Sequence, residues 1–217
     1  MESLAQSIAD FDRLIRPIAE EKLSGRFVTV EGIGSDQTSR DLDTNAGIDL
    51  WLFHREKQVL GVANRVQRQE KNWRTFTIRK ERDSGHETEH AKRKKAIENE
   101  MLFPTLTLHA YVTPDGASLF GFAVARTRDL LTMIEDGHCY VRRTRCETND
   151  GLASFYVVEW DRVRRSGYEF YEYPEPAAAV PVEQKTKAVV APGHLPSAPR
   201  PQMALFPDLE VKRLRRF

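Results

Sequence analysis

The sequence predicts an α+β or α/β domain built on a single mixed sheet flanked by helices, followed by a flexible tail. Three observations carry that expectation. Blocks of β-branched and aromatic residues recur from residue 26 to residue 163, helical spacings precede and interrupt them, and the composition changes abruptly near Tyr173. The chain has 217 residues, of which 40% are hydrophobic and 30% charged, which is room for one core but not for two full domains. Lys plus Arg total 33 and Asp plus Glu 32, so net charge alone assigns no partner. No apolar run approaches the roughly 20 residues of a membrane span. The opening MESLAQSIADFDRL lacks the leading basic cluster of a signal peptide. Cys139 and Cys146 form neither a CxxC pair nor a disulfide scaffold. A soluble, cytoplasmic protein with no membrane partner is expected.

The elements follow in order. Leu4, Ile8, Phe11, Leu14, Ile15, Ile18 and Ala19 repeat at helical spacing, which predicts a helix over 3–23 that Pro17 kinks or restarts and Gly25 ends. Residues 26–31 alternate as a strand, and the polar stretch 34–46 reads as a loop. GIDLWLF (47–53) and VLGVANRVQ (59–67) flank a polar turn and read as a hairpin, with a third strand over 74–80. A charged, mostly exposed helix is predicted over 87–100. Two strands over 105–112 and 118–125 are joined by TPDGA, and a helix over 126–137 stops at Gly137. Late strands are predicted at CYVRRTR and over 153–163. This gives a folded domain over 1–172. Seven of the eleven prolines fall between Tyr173 and Pro201, which makes 173–201 a Pro/Ala-rich linker. Residues 202–217 turn apolar again and end in a basic cluster.

Gln202-Met203-Ala204-Leu205-Phe206 is the most specific short signal in the chain. It resembles the bacterial sliding-clamp-binding peptide, in which a Gln is followed by an apolar Leu-Phe pair. The resemblance implies that Leu205 and Phe206 fill an apolar pocket on the clamp, Gln202 fixes the register and Met203 adds adaptable packing. A tether through the linker would raise the domain's effective concentration at replicating or repaired DNA, in a nucleoid-associated setting. The competing expectation is that Leu205, Phe206, Leu209 and Leu214 pack back on the chain's own domain.

The order helix, three strands, helix, strand is similar to that of the PD-(D/E)XK nuclease core. The resemblance implies a magnesium ion gathered by an Asp opening one strand and a Glu-x-Lys on the next. Asp49 takes the first position, and Glu20 near the end of the first helix takes that of an added helix acid. Ala63-Asn64-Arg65 stands where Glu-x-Lys is expected, and Ala63 cannot bind metal. Ala63, Arg65 and Gln67 share one strand face, so Arg65 and Gln67 join the candidate site, with Lys80 as a further positive charge. The catalytic candidates are therefore Asp49, Arg65, Gln67 and Lys80, and the metal candidates Asp49 and Glu20. A cleaving enzyme and a degenerate relative that grips DNA without cutting both remain open, as does a non-catalytic clamp adaptor or inhibitor.

Charge is unevenly placed. Between Arg65 and Lys95 eleven bases face five acids, a net +6 that suits sequence-blind phosphate contact. Arg68, Trp73, Arg74, Arg79, Arg82, Lys92, Arg93, Lys94 and Lys95 are the DNA-contact candidates, with Trp73 able to stack on an unpaired base. A solvated face is the bland alternative. His86-Glu87-Thr88-Glu89-His90 matches the H-E-x-x-H string of zinc hydrolases, but the flanking charges make zinc the weaker expectation.

Overall fold

A computed structural model describes residues 4–30, 46–55, 58–145 and 151–175. The linker from residue 176 and the peptide Gln202, Met203, Leu205 and Phe206 lie outside the described residues. The chain opens with α1 (Leu4–Asp10), a single wide turn (Phe11–Ile15) and α2 (Arg16–Lys22). Pro17 stands in the first turn of α2, where its missing N–H is not needed, so it restarts the helix as the spacing allowed. Phe11, Ile15, Ala19 and Leu23 are buried along one side.

The strands that follow are β1 (Gly25–Thr29), β2 (Leu50–His54), β3 (Val59–Arg68) and β4 (Thr75–Arg82). Next come α3 (Glu89–Glu98), β5 (Leu106–Val112), β6 (Leu119–Arg126) and α4 (Thr127–Glu135). The described chain closes with β7 (Tyr140–Arg145), β8 (Leu152–Glu159), α5 (Trp160–Ser166) and β9 (Phe170–Tyr173). The mixed α/β class stands. The single sheet does not: the strands divide into a six-stranded sheet, ordered β1-β2-β3-β5-β6-β9, and a three-stranded sheet, ordered β4-β8-β7. In the larger sheet β3 and β5 are parallel and every other pairing is antiparallel. The chain leaves that sheet after Arg68; Arg74, at φ 51°, immediately precedes β4, which pairs with β8 instead.

Two further expectations change. The strand predicted over 153–163 ends at Glu159, and Trp160 begins α5, with Gly167 in the left-handed conformation that closes it. The short β9 lies where the proline-rich composition was expected to begin.

β5 is the keystone, with every residue from Leu106 to Val112 buried. Its Tyr111 joins Phe76 and Ile78 of β4, Leu130 and Met133 of α4, Val158 of β8 and Trp160 of α5 in one core. The smaller sheet therefore packs across one face of the larger.

The outer edge of β4 shows how the two sheets are joined. An edge strand leaves N–H and C=O groups unpaired, and buried ones need partners. Here side chains supply them. The Tyr111 hydroxyl donates to Thr75 O at 2.9 Å, and Thr77 N donates to His109 Nδ1 at 3.2 Å. Arg65 Nη1 donates to Thr77 O at 3.2 Å, and Arg79 N donates to Glu89 Oε2 at 3.3 Å. Four side chains from β3, β5 and α3 thus replace a neighbouring strand.

Candidate functional site

Three of these residues, Arg65, Glu89 and His109, border a cleft of about 160 Å³, lined also by Asp49, Ala63 and Arg93 among others. Its parts are placed by local sequence. Gly47, at φ 66°, turns the chain into β2. Ile48 then packs onto Gly61, where an added Cβ would sit 2.9 Å from Ile48 Cδ1. With Ile48 buried beneath, Asp49 is held by backbone bonds to both neighbours: Val30 N donates to its carbonyl at 3.1 Å, and its own N–H donates to Val62 O at 3.0 Å. Asp49 Oδ2 accepts from Asn64 N at 2.6 Å, beyond the last β2–β3 ladder pair.

Thr88 caps α3, its Oγ1 accepting from Ala91 N at 3.4 Å, and this sets Glu89 in the first turn with Arg93 one turn on. Glu89 forms an ion pair with Arg65. Burial alone would push the Glu89 carboxyl up, but Arg65, Arg93 and the Arg79 N–H outweigh it and hold it down at about 2. Arg93 is 8% exposed, and burial lowers its affinity for a proton from the ordinary arginine range. Its Nη1 has no hydrogen-bond partner among the described residues, and neither has Asn64 Oδ1. Burial, aided by Arg65, depresses His109 to about 3, so its ring is neutral at pH 7. Its Nδ1 stands 3.2 Å from Thr77 N, from which it accepts as a bare nitrogen, and 3.3 Å from Thr75 O, to which it donates when protonated.

Among the described residues the cleft is lined by the basic side chains Arg65, Arg82, Lys92 and Arg93 and by the acidic Asp49 and Glu89. Among the sequence candidates, Asp49 and Arg65 come together here with Arg82, Lys92 and Arg93. Glu20 does not line the cleft; its Oε1 accepts from Phe27 N at 2.7 Å and ties α2 to β1. Gln67, two residues beyond Arg65, lines a second cleft together with Trp73. Lys80 pairs with Glu81 at 3.2 Å and lies 5.7 Å from the Tyr156 ring, on the smaller sheet.

The basic patch is divided in the same way. Arg68 is held by the buried Asp10 at 2.8 Å and Arg74 by Glu172 at 2.7 Å. Arg79 stands 5.5 Å over the Phe155 ring, Lys94 pairs with Glu135 at 3.0 Å, and Lys95 is 3.8 Å from Glu87. The helix predicted as mostly exposed therefore turns Arg93 and Ala96 inward. His86 and Glu87 precede the cap Thr88, so they and His90 share no helical face of the kind an H-E-x-x-H zinc site requires.

The donor set is a poor fit for a magnesium ion. Magnesium takes an octahedron of oxygens, usually with one or two carboxylates as anchors. Glu89 gives one oxygen to Arg65 and the other to Arg79 N, and Asp49 gives one to Asn64 N. Ala63, on β3 beside Asp49, offers no side-chain oxygen, and four basic side chains among the described residues share the space. Among the described residues no three His, Cys, Asp or Glu side chains gather as a metal group.

Glu89, His109 and Asn64 were not singled out from the sequence. Two signals could have found them: Glu89 and Arg93 at i,i+4 behind a Thr cap, and the alternation Thr107, His109, Tyr111 within an otherwise apolar strand. No protein-family model, no curated protein and no solved structure matches this chain. No helix among the described residues is long and apolar enough to cross a membrane.

Proposed function

We propose that this protein grips the phosphate backbone of DNA through the cleft between β2, β3 and α3, and that its C-terminal peptide brings it to a bacterial-type sliding clamp. Binding, not cleavage, is the activity assigned to the cleft. The observation that carries the reading is Arg93: a buried guanidinium in an open cleft, whose Nη1 has no hydrogen-bond partner among the described residues, where four cationic and two acidic side chains among those residues meet. A buried donor without an acceptor costs about 1–3 kcal/mol, and an incoming phosphate oxygen removes that cost. Arg65, fixed by Glu89 and Thr77, holds a second positive charge in place. Lys92 and Arg82 border the same opening.

Within the larger sheet, helix, β1, β2, β3, α3 and β5 follow in that order with β3 and β5 parallel, which supports a nuclease-like ancestry, although β4 of the smaller sheet is interposed before α3. The alanine beside Asp49 supports the non-cutting form. The clamp assignment rests on Gln202, Leu205 and Phe206 as a sequence.

The test is retention of labelled duplex and single-stranded DNA, with and without magnesium and clamp, with plasmid cleavage scored alongside. Metal-independent retention that falls steeply with salt supports the grip. Magnesium-dependent cleavage that disappears in Asp49→Ala would replace it with the nuclease reading.

A further inference from the structure

A second cleft, of about 220 Å³, lies next along the same strand face. Arg65 borders the first cleft and Gln67 borders the second, a separation of about 7 Å along β3. Thr77, which accepts from Arg65 Nη1 at 3.0 Å, also lines the second cleft, so the two adjoin.

Their chemistry differs. The second cleft is bordered by the aromatic rings of Trp73, Tyr140 and Phe155 and by amide and hydroxyl groups, with Arg142 as its one charged side chain among the described residues. Trp73 is 44% exposed and Tyr140 46%, large rings left facing solvent at a cleft mouth. Lys71 Nζ sits 4.2 Å from the Trp73 ring centroid and the Arg142 guanidinium 5.7 Å from it. Trp73 Nε1 donates to Gln69 Oε1 at 3.2 Å, which fixes the indole's orientation. The volume is below the roughly 300–1,000 Å³ of a drug-sized ligand site and suits one planar heteroaromatic ring.

We propose that this cleft takes one unpaired nucleobase of a single-stranded or branched DNA whose phosphates lie in the Arg93 cleft. The proposal rests on the phosphate-grip reading and names its substrate class. Every base has a π-face, so Trp73 and Tyr140 stack without regard to sequence. The Gln67 amide and the Thr75, Thr77 and Thr144 hydroxyls offer donors and acceptors to the base edge. A base that stacks on Trp73 displaces the cationic head group lying over that ring face, Lys71 or Arg142, which then pairs with a flanking phosphate. A paired base, locked in its stack, does not enter, so the cleft selects unpaired segments.

The test uses the full-length protein with three probes: oligothymidylate, an abasic oligonucleotide of equal length, and a matched duplex. Oligothymidylate should bind at least about fivefold more tightly than the abasic strand, with quenching of tryptophan emission. Trp73→Leu should erase that preference and the quenching. Tyr140→Ala, at a second exposed ring, should reduce the preference independently. Equal affinity for oligothymidylate and abasic strand overturns this proposal and leaves the phosphate grip standing, as does a preference that survives both variants. Failure of all three probes to bind overturns both.

Discussion

Replacing Glu89 with Gln should destabilise the fold and tighten DNA binding at once. The ion pair with Arg65 and the nearby Arg93 charge hold the Glu89 carboxyl at about 2, against an ordinary 4.5. That gap corresponds to about 3 kcal/mol favouring the charged form in the folded state. The Glu89 side chain is 28% exposed, and solvent screening brings the expected loss to about 2 kcal/mol. The sign of the pH dependence is fixed. A carboxylate depressed by folding contributes fully above its unfolded value near 4.5, and the contribution fades as pH falls toward 2. Urea unfolding of wild type and Glu89→Gln should therefore differ by about 2 kcal/mol at pH 7 and converge in acid. The variant also leaves one more net positive charge in the cleft, so single-stranded DNA should bind several-fold more tightly at low salt. Equal stabilities at pH 7, a difference that persists undiminished at pH 2–3, or weaker DNA binding in a folded variant would refute the reasoning.

Other expectations follow from the same geometry. Arg68→Met leaves the 3%-exposed Asp10 with Arg13, 3.2 Å away, as its remaining ion-pair partner among the described residues, and should cost about 1–3 kcal/mol in urea unfolding. His109, depressed to about 3, is neutral in the fold but protonates in the unfolded chain below about 6.5. Stability should decline as pH falls from 6.5 toward 3, by at most about 1.4 kcal/mol per pH unit, and His109→Gln should flatten that slope in pH-dependent unfolding. Alanine at both Leu205 and Phe206 should abolish capture on immobilised sliding clamp while leaving DNA affinity unchanged; unchanged capture would remove the recruitment proposal.

Much of the fold was legible because the signals are local. The hairpin from β2 to β3 follows from two runs of β-formers around a polar turn. Pro17 marks the start of α2, and Gly137 follows the end of α4. The division into two sheets was not legible, because nothing local distinguishes the edge of β4 from that of any other strand. Its partners are side chains supplied by Arg65, His109, Tyr111 and Glu89, from segments up to 36 residues away. The start of α5 was hidden for a related reason: Trp160 and Val163 are apolar enough to read as more of β8. At the candidate site, Asp49 was named by the nuclease resemblance and Arg65 by strand alternation, and both line the first cleft. Glu89 was passed over because its run of charged neighbours reads as an exposed helix, although the Thr88 cap turns it inward. Glu20 was named for its place near the end of the first helix and Lys80 for its charge on the next strand, and neither criterion specifies the backbone group or the sheet to which each is bound.

The account turns on whether the Asp49–Arg93 cleft attracts phosphate by its own charge. The direct measurement is the affinity of wild type and Asp49→Asn for single-stranded DNA in chelator, across a range of salt. The account predicts metal-free binding with a steep salt slope, and equal or tighter binding once the Asp49 charge is removed. Binding that requires magnesium and is lost in Asp49→Asn would contradict it.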